Sequence, residues 1–179
     1  MTKKNFLDFY RSKIRLSAFR WSVFIQKKQS SLQERSITLS QLRMFFHPWY
    51  SDGKRQVAYR QALARRNVFA LRVMDSVHTT HHSQHDRRIR RRMQHLPKLL
   101  WALPVLIDRK TGATLLLDGN TTAAALVKQA RRRTIPIIAI ISTAPEQFAG
   151  DFRIVQRTML RDRIEELKKA KHPSIKPHR

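Results

Sequence analysis

The residues best suited to chemistry lie in a short run at 115–125, where an apolar segment ends in Asp118, Gly119 and Asn120. A glycine after a strand permits a sharp turn, and a helix that starts directly after it presents unpaired N–H groups and a positive dipole end. We therefore predict a phosphate-binding site made of Gly119, Asn120, Thr121 and Thr122. Asp118 and Asn120 are the candidate catalytic residues, and Asp118 is also a candidate ligand for a divalent metal ion. The alternative is that Asp118 or Asn120 only caps the helix.

A second group of chemically capable residues consists of four histidines: His78, His81, His82 and His85. His81 and His82 each lie three or four positions from His78 and from His85, which is the spacing of one helical face. Imidazole nitrogens bind zinc and other transition metals, so these histidines are candidate metal ligands. Thr79, Thr80 and Ser83 disfavour a helix here, so a polar loop is the alternative. One histidine could also act as an acid or base beside the phosphate site.

The charge balance favours a polyanionic partner. The 179 residues include 37 Lys and Arg against 12 Asp and Glu, a net charge of +25. Nucleic acid is the first candidate partner and an anionic membrane the second. The stretch 87–107 contains no acidic residue, whereas solvated surfaces usually mix both signs. We expect DNA to be bound mainly through its phosphates by Arg87, Arg88, Arg90, Arg91, Arg92, Arg131, Arg132 and Arg133.

Composition also excludes several classes of protein. The chain has no cysteine, which rules out disulfide frameworks, thiol catalysis and Fe–S clusters. Its longest apolar run, 99–107, is short and contains Pro104, so we expect no membrane span. Basic residues interrupt the apolar stretch that a signal peptide would need, and we expect a cytoplasmic protein. Trp21, Phe46, Trp49 and Tyr50 could stack on exposed bases, although burial in the core is the alternative.

The hydrophobic pattern predicts an α+β protein with a helical N-terminal lobe. In the first third we expect a helix at 6–25, followed by a polar break at 29–35. A second helix is predicted from Thr38 or Ser40 to residue 46, and it ends in a turn at 47–53. A third helix is predicted at 55–66. The middle and last thirds read as strands at 68–77, Leu103–Asp108, 113–117 and 135–141, with helices around 87–96, 121–132 and 149–171. The expected domains are a basic helical lobe (1–66), a core (67–145), and a C-terminal helix with a basic tail (146–179).

The run LPVLI at 103–107, the run LLDGNTTAAA at 116–125 and the run TIPII at 134–138 together resemble the ParB/sulfiredoxin superfamily. The resemblance covers about 103–141 and extends weakly back to residue 68. It implies a small mixed sheet with helices, and a nucleotide phosphate bound at the start of the helix. The superfamily includes CTP-dependent partition proteins, ATP-using sulfiredoxins and kinases, and nucleases.

The chain departs from two branches of this superfamily. Partition proteins carry a glutamate and two arginines after the glycine, and sulfiredoxins carry cysteine, histidine and arginine, where this chain has Asn120, Thr121 and Thr122. The lack of cysteine excludes sulfiredoxin chemistry. Only 38 residues follow Ile141, too few for the additional domains of partition proteins. We therefore do not expect a segregation protein.

The small size and strong charge look most like the plasmid-borne fertility-inhibition, or oncogenic-suppression, branch. This resemblance implies a DNA-binding nuclease with ATP hydrolysis, helped by Mg²⁺ or Mn²⁺, that inhibits conjugative or T-DNA transfer. A component of a conjugative transfer machine is then a possible partner. Two alternatives stay open: a non-enzymatic inhibitor that binds DNA or the transfer machine on a degenerate ParB-like fold, and a basic RNA-binding accessory protein.

Overall fold

The computed structural model describes residues 1–12, 14, 19–26, 30–78, 83–95, 102–129 and 134–171. The helices in these ranges are α1 (Lys3–Tyr10), α2 (Trp21–Gln26), α3 (Leu39–Met44), α4 (Tyr59–Ala64), α5 (Val73–His78), α6 (Ser83–His95), α7 (Asn120–Gln129) and α8 (Phe152–Lys171). The strands are β1 (Ser31–Ile37), β2 (Phe46–Ser51), β3 (Gln56–Val57), β4 (Phe69–Arg72), β5 (Leu103–Asp108), β6 (Thr114–Leu116) and β7 (Ile135–Ser142).

The strands form one mixed sheet in the order β1-β7-β5-β6-β2-β3, with β4 also paired to β2. Its centre is the parallel pair of β5 and β7, in register from Leu103 opposite Ile137 to Asp108 opposite Ser142. β6 turns back antiparallel to β5, and β2 joins β6 in parallel. The mixed sheet and its helices confirm the predicted α+β class.

Two apolar layers cover the two faces of the sheet, because successive strand residues point to opposite sides. Leu106 and Leu115 pack with the aromatic residues of α1, α2 and the start of α8. Leu103 and Leu116, on the opposite face, pack against α7 and the one buried isoleucine of α6. Because both faces are covered, β5 and β7 read as nearly continuous apolar runs. The helices that carry the candidate site therefore lie together on one face.

The first third of the chain is not all helical, which corrects the predicted helical lobe. Strand β1 replaces the expected polar break, and β2 replaces most of the expected turn at 47–53. β3 occupies the start of the expected helix at 55–66. β1 is mostly exposed and is held by its backbone pairing with β7, so its side chains carry no strand pattern. The first 66 residues thus supply strands to the same sheet as residues 103–142.

Other local predictions are confirmed with shifted ends. Thr38 caps α3 through a reciprocal capping box with Gln41, and β5 has the predicted bounds. The predicted strand at 68–77 ends at Arg72, where α5 begins. In the described ranges, no helix combines the length and the apolar character that crossing a membrane requires.

Candidate phosphate and nucleic-acid site

The turn between β6 and α7 requires glycine for two reasons. Gly119 has φ 79°, in the left-handed region that favours glycine. A Cβ placed there would also lie 2.5 Å from Leu103 Cδ2, so the turn packs directly on β5. The Gly119 carbonyl accepts the first helical hydrogen bond, from Ala123 N at 2.8 Å. α7 therefore starts at Asn120, one residue earlier than predicted, and the N–H groups of its first turn lie at the predicted phosphate site.

A buried histidine that the sequence analysis did not select fixes the side chain at this helix start. His47, on β2, has no exposed surface, and its Nδ1 lies 3.2 Å from Asn120 Oδ1. Its Nε2 lies 2.9 Å from Ser76 Oγ. β2 and α5 thus hold the imidazole from one side while α7 presents Asn120 from the other. Among the predicted site residues, Asn120 is the one whose side chain this histidine positions.

The hydrogen-bond directions at His47 follow from Ser76. The Ser76 hydroxyl donates to the Val73 carbonyl at 2.7 Å, so its only hydrogen is already used. His47 Nε2 must then donate to Ser76 Oγ. A protonated ring also donates from Nδ1 to Asn120 Oδ1, whereas a neutral ring accepts at Nδ1 from an amide turned to present its NH₂ group. The protonation state of His47 therefore determines which end of the Asn120 amide faces away from the ring.

Helix α6 supplies the basic surface beside the start of α7. Ile89 is buried at 2% exposure, while the side chains of Arg87, Arg88, Arg90 and Arg91 are exposed. The half-buried Arg92 donates from Nε to Thr122 Oγ1 at 2.9 Å. This contact joins a predicted DNA-binding residue to a predicted phosphate-binding residue. Thr122 is itself buried, so Thr121 and the backbone N–H groups are the more accessible donors of this turn.

The arginines of α6 keep their charge available. Among the described side chains, the cations in ion pairs are Arg55, Arg72, Arg161 and the amino terminus, and the five arginines of α6 are in none. A second contact, from Gln129 Nε2 to the Met93 carbonyl at 2.8 Å, fixes α6 along α7. Arg131, Arg132 and Arg133, predicted as further DNA ligands, lie outside the described residues.

Asp118 lies on the side of the turn that faces α1. It is half-buried, and its charge is one of the causes that raise the pKa of Tyr10 to about 12, after the larger effect of burial. The Tyr10 hydroxyl donates to the Ala102 carbonyl at 2.7 Å. Asp118 is thus close enough to Tyr10 for their charges to interact, while His47 and Arg92 contact the α7 residues that follow it.

The predicted metal ligands do not form a site among the described residues. Those residues contain no group of three or more His, Cys, Asp or Glu side chains that could hold a metal ion. Asp118 alone does not satisfy a divalent cation. The side chains of His78, His81, His82 and His85 lie outside the described residues.

Most of the aromatic residues predicted as possible base-stacking groups belong to the core. Phe46 and Tyr50 are buried, whereas Trp21 and Trp49 are half-buried. Trp49 stacks on the His47 ring, with centroids 4.5 Å apart and planes 15° apart. The aromatic run at 46–50 was the available signal for β2 and His47, but Pro48 and the turn residues that follow it pointed to a loop instead.

No protein-family model matches this chain, and comparisons with curated proteins and with solved structures also find no match. The site is therefore characterised by its own geometry: a glycine turn, a helix start with a buried histidine behind it, and an arginine helix alongside.

Proposed function

We propose that the protein binds DNA, mainly through its phosphates, with the exposed face of α6 and the first turn of α7. The observation that carries this proposal is the hydrogen bond from Arg92 to Thr122, which places the arginine helix next to the helix start. A phosphate at the α7 turn would meet N–H donors and the positive end of the helix dipole. Neighbouring phosphates along the backbone would meet Arg87, Arg90 and Arg91.

Cationic side chains without acidic partners favour this use. Arginine neutralises phosphates and releases the counterions condensed on DNA, and this release supplies most of the affinity of binding that does not read sequence. Arg87, Arg90 and Arg91 lie on one side of α6 by their three- and four-residue spacing. The site offers few groups for reading base edges, so we expect little sequence preference.

The biological role follows from the family resemblance and is part of the proposal. In a ParB/sulfiredoxin-like protein of the fertility-inhibition type, DNA binding at this surface would block conjugative or T-DNA transfer, either on the DNA itself or at a component of the transfer machine. The mixed α+β sheet is compatible with this assignment.

The test is fluorescence anisotropy with labelled single-stranded DNA, double-stranded DNA and RNA of equal length, across a range of salt concentrations. The triple variant Arg87→Gln, Arg90→Gln, Arg91→Gln should weaken DNA binding by at least about tenfold and lower the salt slope by about one per arginine removed. The matched control changes three exposed arginines elsewhere, Arg11→Gln, Arg43→Gln and Arg60→Gln. It removes the same charge and should retain most of the affinity.

Equal losses in the two triple variants would show that only net charge matters and would refute a DNA surface on α6. A clear preference for RNA would favour the accessory RNA-binding role instead.

A second candidate function, DNA cleavage with ATP hydrolysis, is favoured by the buried His47–Asn120 pair next to Asp118. His47 orients the Asn120 amide, and the α7 N–H groups are suited to an ATP or DNA phosphate. The described residues do not fit a metal ion, so no step through Mg²⁺ or Mn²⁺ is assigned. In this function Asp118 and Asn120 contact the reacting phosphate.

This candidate is tested by incubating plasmid and single-stranded DNA with wild type, Asp118→Ala and Asn120→Ala, with and without Mg²⁺, Mn²⁺ and ATP. Cleavage lost in the variants, with anisotropy unchanged, would support a nuclease at the turn. A gel shift without cleavage under every condition would leave DNA binding as the function.

A further inference from the structure

From residue 160 onward, α8 carries a row of apolar side chains that the protein leaves exposed. Leu160, Ile164 and Leu167 are 61%, 45% and 56% exposed. Their spacing of four and three residues places them on one side of the helix. Single exposed apolar residues are ordinary on a protein surface, but an aligned row on a helix indicates a face that packs against something.

The packing of α8 changes abruptly along its length. The first half is anchored by buried Phe152 and Val155, and Thr158 Oγ1 accepts from Ala70 N at 2.9 Å. Among the described residues, the last polar contact from α8 to the rest of the fold is the ion pair between Asp162 and Arg72, at 2.7 Å. From residue 163 to residue 170 every side chain is exposed. The apolar row therefore continues beyond the part of the helix that the fold needs.

A groove of about 670 Å³ lies where this row meets α4. Leu63 of α4, itself 40% exposed, forms the opposite wall, and Leu160 and Ile164 lie on the α8 side. Phe69 closes the groove and is covered by the Arg161 guanidinium, 4.0 Å from the ring centroid. The groove thus offers apolar walls on two helices.

The charges around the apolar surface are mainly positive. Lys168 and Arg66 line the groove, and Arg163 lies four residues before Leu167 on the same side of the helix. In the described part of the chain, none of these three cations forms an ion pair. The groove carboxylate, Glu165, pairs with Arg161 at 3.7 Å, while Asp162 is turned to Arg72 on the body.

We propose that the groove between α4 and the second half of α8 is a docking site for an acidic amphipathic helix of a partner protein. A row of Leu or Ile on that helix covers Leu63, Leu160 and Ile164, and flanking Asp or Glu residues pair with the free cations. A second copy of this chain fits poorly, because each copy carries +25 and would bring like charges together. Nucleic acid would pair with the cations through its phosphates but would leave the apolar side chains of the groove exposed to water.

The test uses a fluorescein-labelled synthetic peptide of about five helical turns, with leucines on one side and glutamates beside them. A second peptide has the same composition with the leucines scattered around the helix. Wild type should bind the first peptide at least about tenfold more tightly than the second. The double variant Leu160→Gln, Ile164→Gln should lose about tenfold in affinity for the first peptide.

The matched control is Ile25→Gln with Met44→Gln, two apolar side chains of similar exposure on other helices, at 48% and 53%. It should bind the peptide as wild type does. The charge reversal Arg163→Glu, Lys168→Glu should weaken binding of the acidic peptide by about tenfold or more at low salt. All changed side chains are exposed, and a thermal melt checks that each variant folds.

Equal binding of the two peptides by wild type would overturn the proposal, since only charge would then be recognised. Unchanged binding by the double variant would overturn it as well. Light scattering that finds a wild-type dimer, lost in the double variant, would assign the face to a second copy. DNA affinity lost together with peptide affinity in the double variant would assign the face to nucleic acid.

Discussion

Helix α6 and the second half of α8 are both basic and both exposed, yet they present different surfaces. α6 buries its apolar residue Ile89 against α7, so its exposed side is mainly arginine. α8 exposes Ile164 and Leu167 between its cations. Charge attracts a polyanion to either helix, but only α6 offers cations without apolar surface beside them. The comparison shows that the placement of a few apolar side chains distinguishes a phosphate surface from a protein-docking surface.

The difference arises from how far each helix is packed. α6 is fixed to α7 near its C-terminal end by Arg92–Thr122 and Gln129–Met93. In the described residues, every α8 side chain after Asp162, which pairs with Arg72, is exposed as far as residue 170. A helix without packing beyond that point gains nothing from its apolar row unless a partner covers it.

The largest effect on stability is expected when one isoleucine in each helix is replaced, and the two variants test this comparison directly. Ile89→Ala should lower the free energy of unfolding by about 2–5 kcal/mol, because it leaves a cavity against α7. Ile164→Ala should change it by about 0.5 kcal/mol or less, because 45% of this residue is already exposed to solvent. Urea unfolding followed by circular dichroism measures both. Similar losses in the two variants would mean that the end of α8 is packed after all.

A smaller effect is expected at the turn that links the arginine helix to α7. Gly119→Ala should lower the free energy of unfolding by about 2–3 kcal/mol. Alanine would have to adopt the unfavourable positive φ, and its Cβ would clash with the Leu103 side chain. Gly112 is the matched control, because it has φ 73° and nothing within 4 Å of a built Cβ. Gly112→Ala should cost only the backbone strain, about 1 kcal/mol. Equal losses measured by urea unfolding would argue against the close contact with Leu103.

The smallest effect is expected at Asp151, the buried residue directly before α8, in contrast to the exposed C-terminal end of that helix. Asp151 is 2% exposed; one oxygen accepts from the Tyr50 hydroxyl, and Oδ2 has no partner among the described residues. Burial raises the pKa of Asp151 above its ordinary value of 3.8. The native state therefore binds this proton more tightly than the unfolded state, and the contribution to stability falls as pH rises through the raised pKa.

Asp151→Asn removes this dependence. Relative to wild type, the variant should gain stability as pH rises from 3.8 towards neutral, since the wild type then loses the contribution of the protonated carboxyl. Urea unfolding at several pH values measures the difference. A difference that stays constant with pH would contradict a raised pKa at Asp151.

The parts of the fold that the sequence predicted well are those in which neighbouring residues determine the structure. The β5 strand follows from a local apolar run, and the start of α7 follows from the Gly119 turn and the helix-forming segment after it. The Thr38 capping box is equally local. For these elements the interactions that stabilise the structure lie within a few residues in the chain.

Elements stabilised by distant residues were missed. β1 has an exposed, polar sequence and exists as a strand because β7 pairs with it about 100 residues later, as Ser31 opposite Ile141 shows. His47 was assigned to a turn, although β2 buries it between Ser76 and Asn120. No local pattern contains these contacts, since each joins segments that come together only on folding.

The sequence by itself determined the net charge, the α+β class, the glycine turn and the helix start that follows it, because these depend on composition and on short-range geometry. The tertiary structure decided which of these features act together. It placed Arg92 on Thr122 and His47 behind Asn120, and it left Leu160, Ile164 and Leu167 uncovered. The physical reason is that burial and hydrogen bonding between distant segments depend on the packing of whole elements, which the order of residues along one element does not specify.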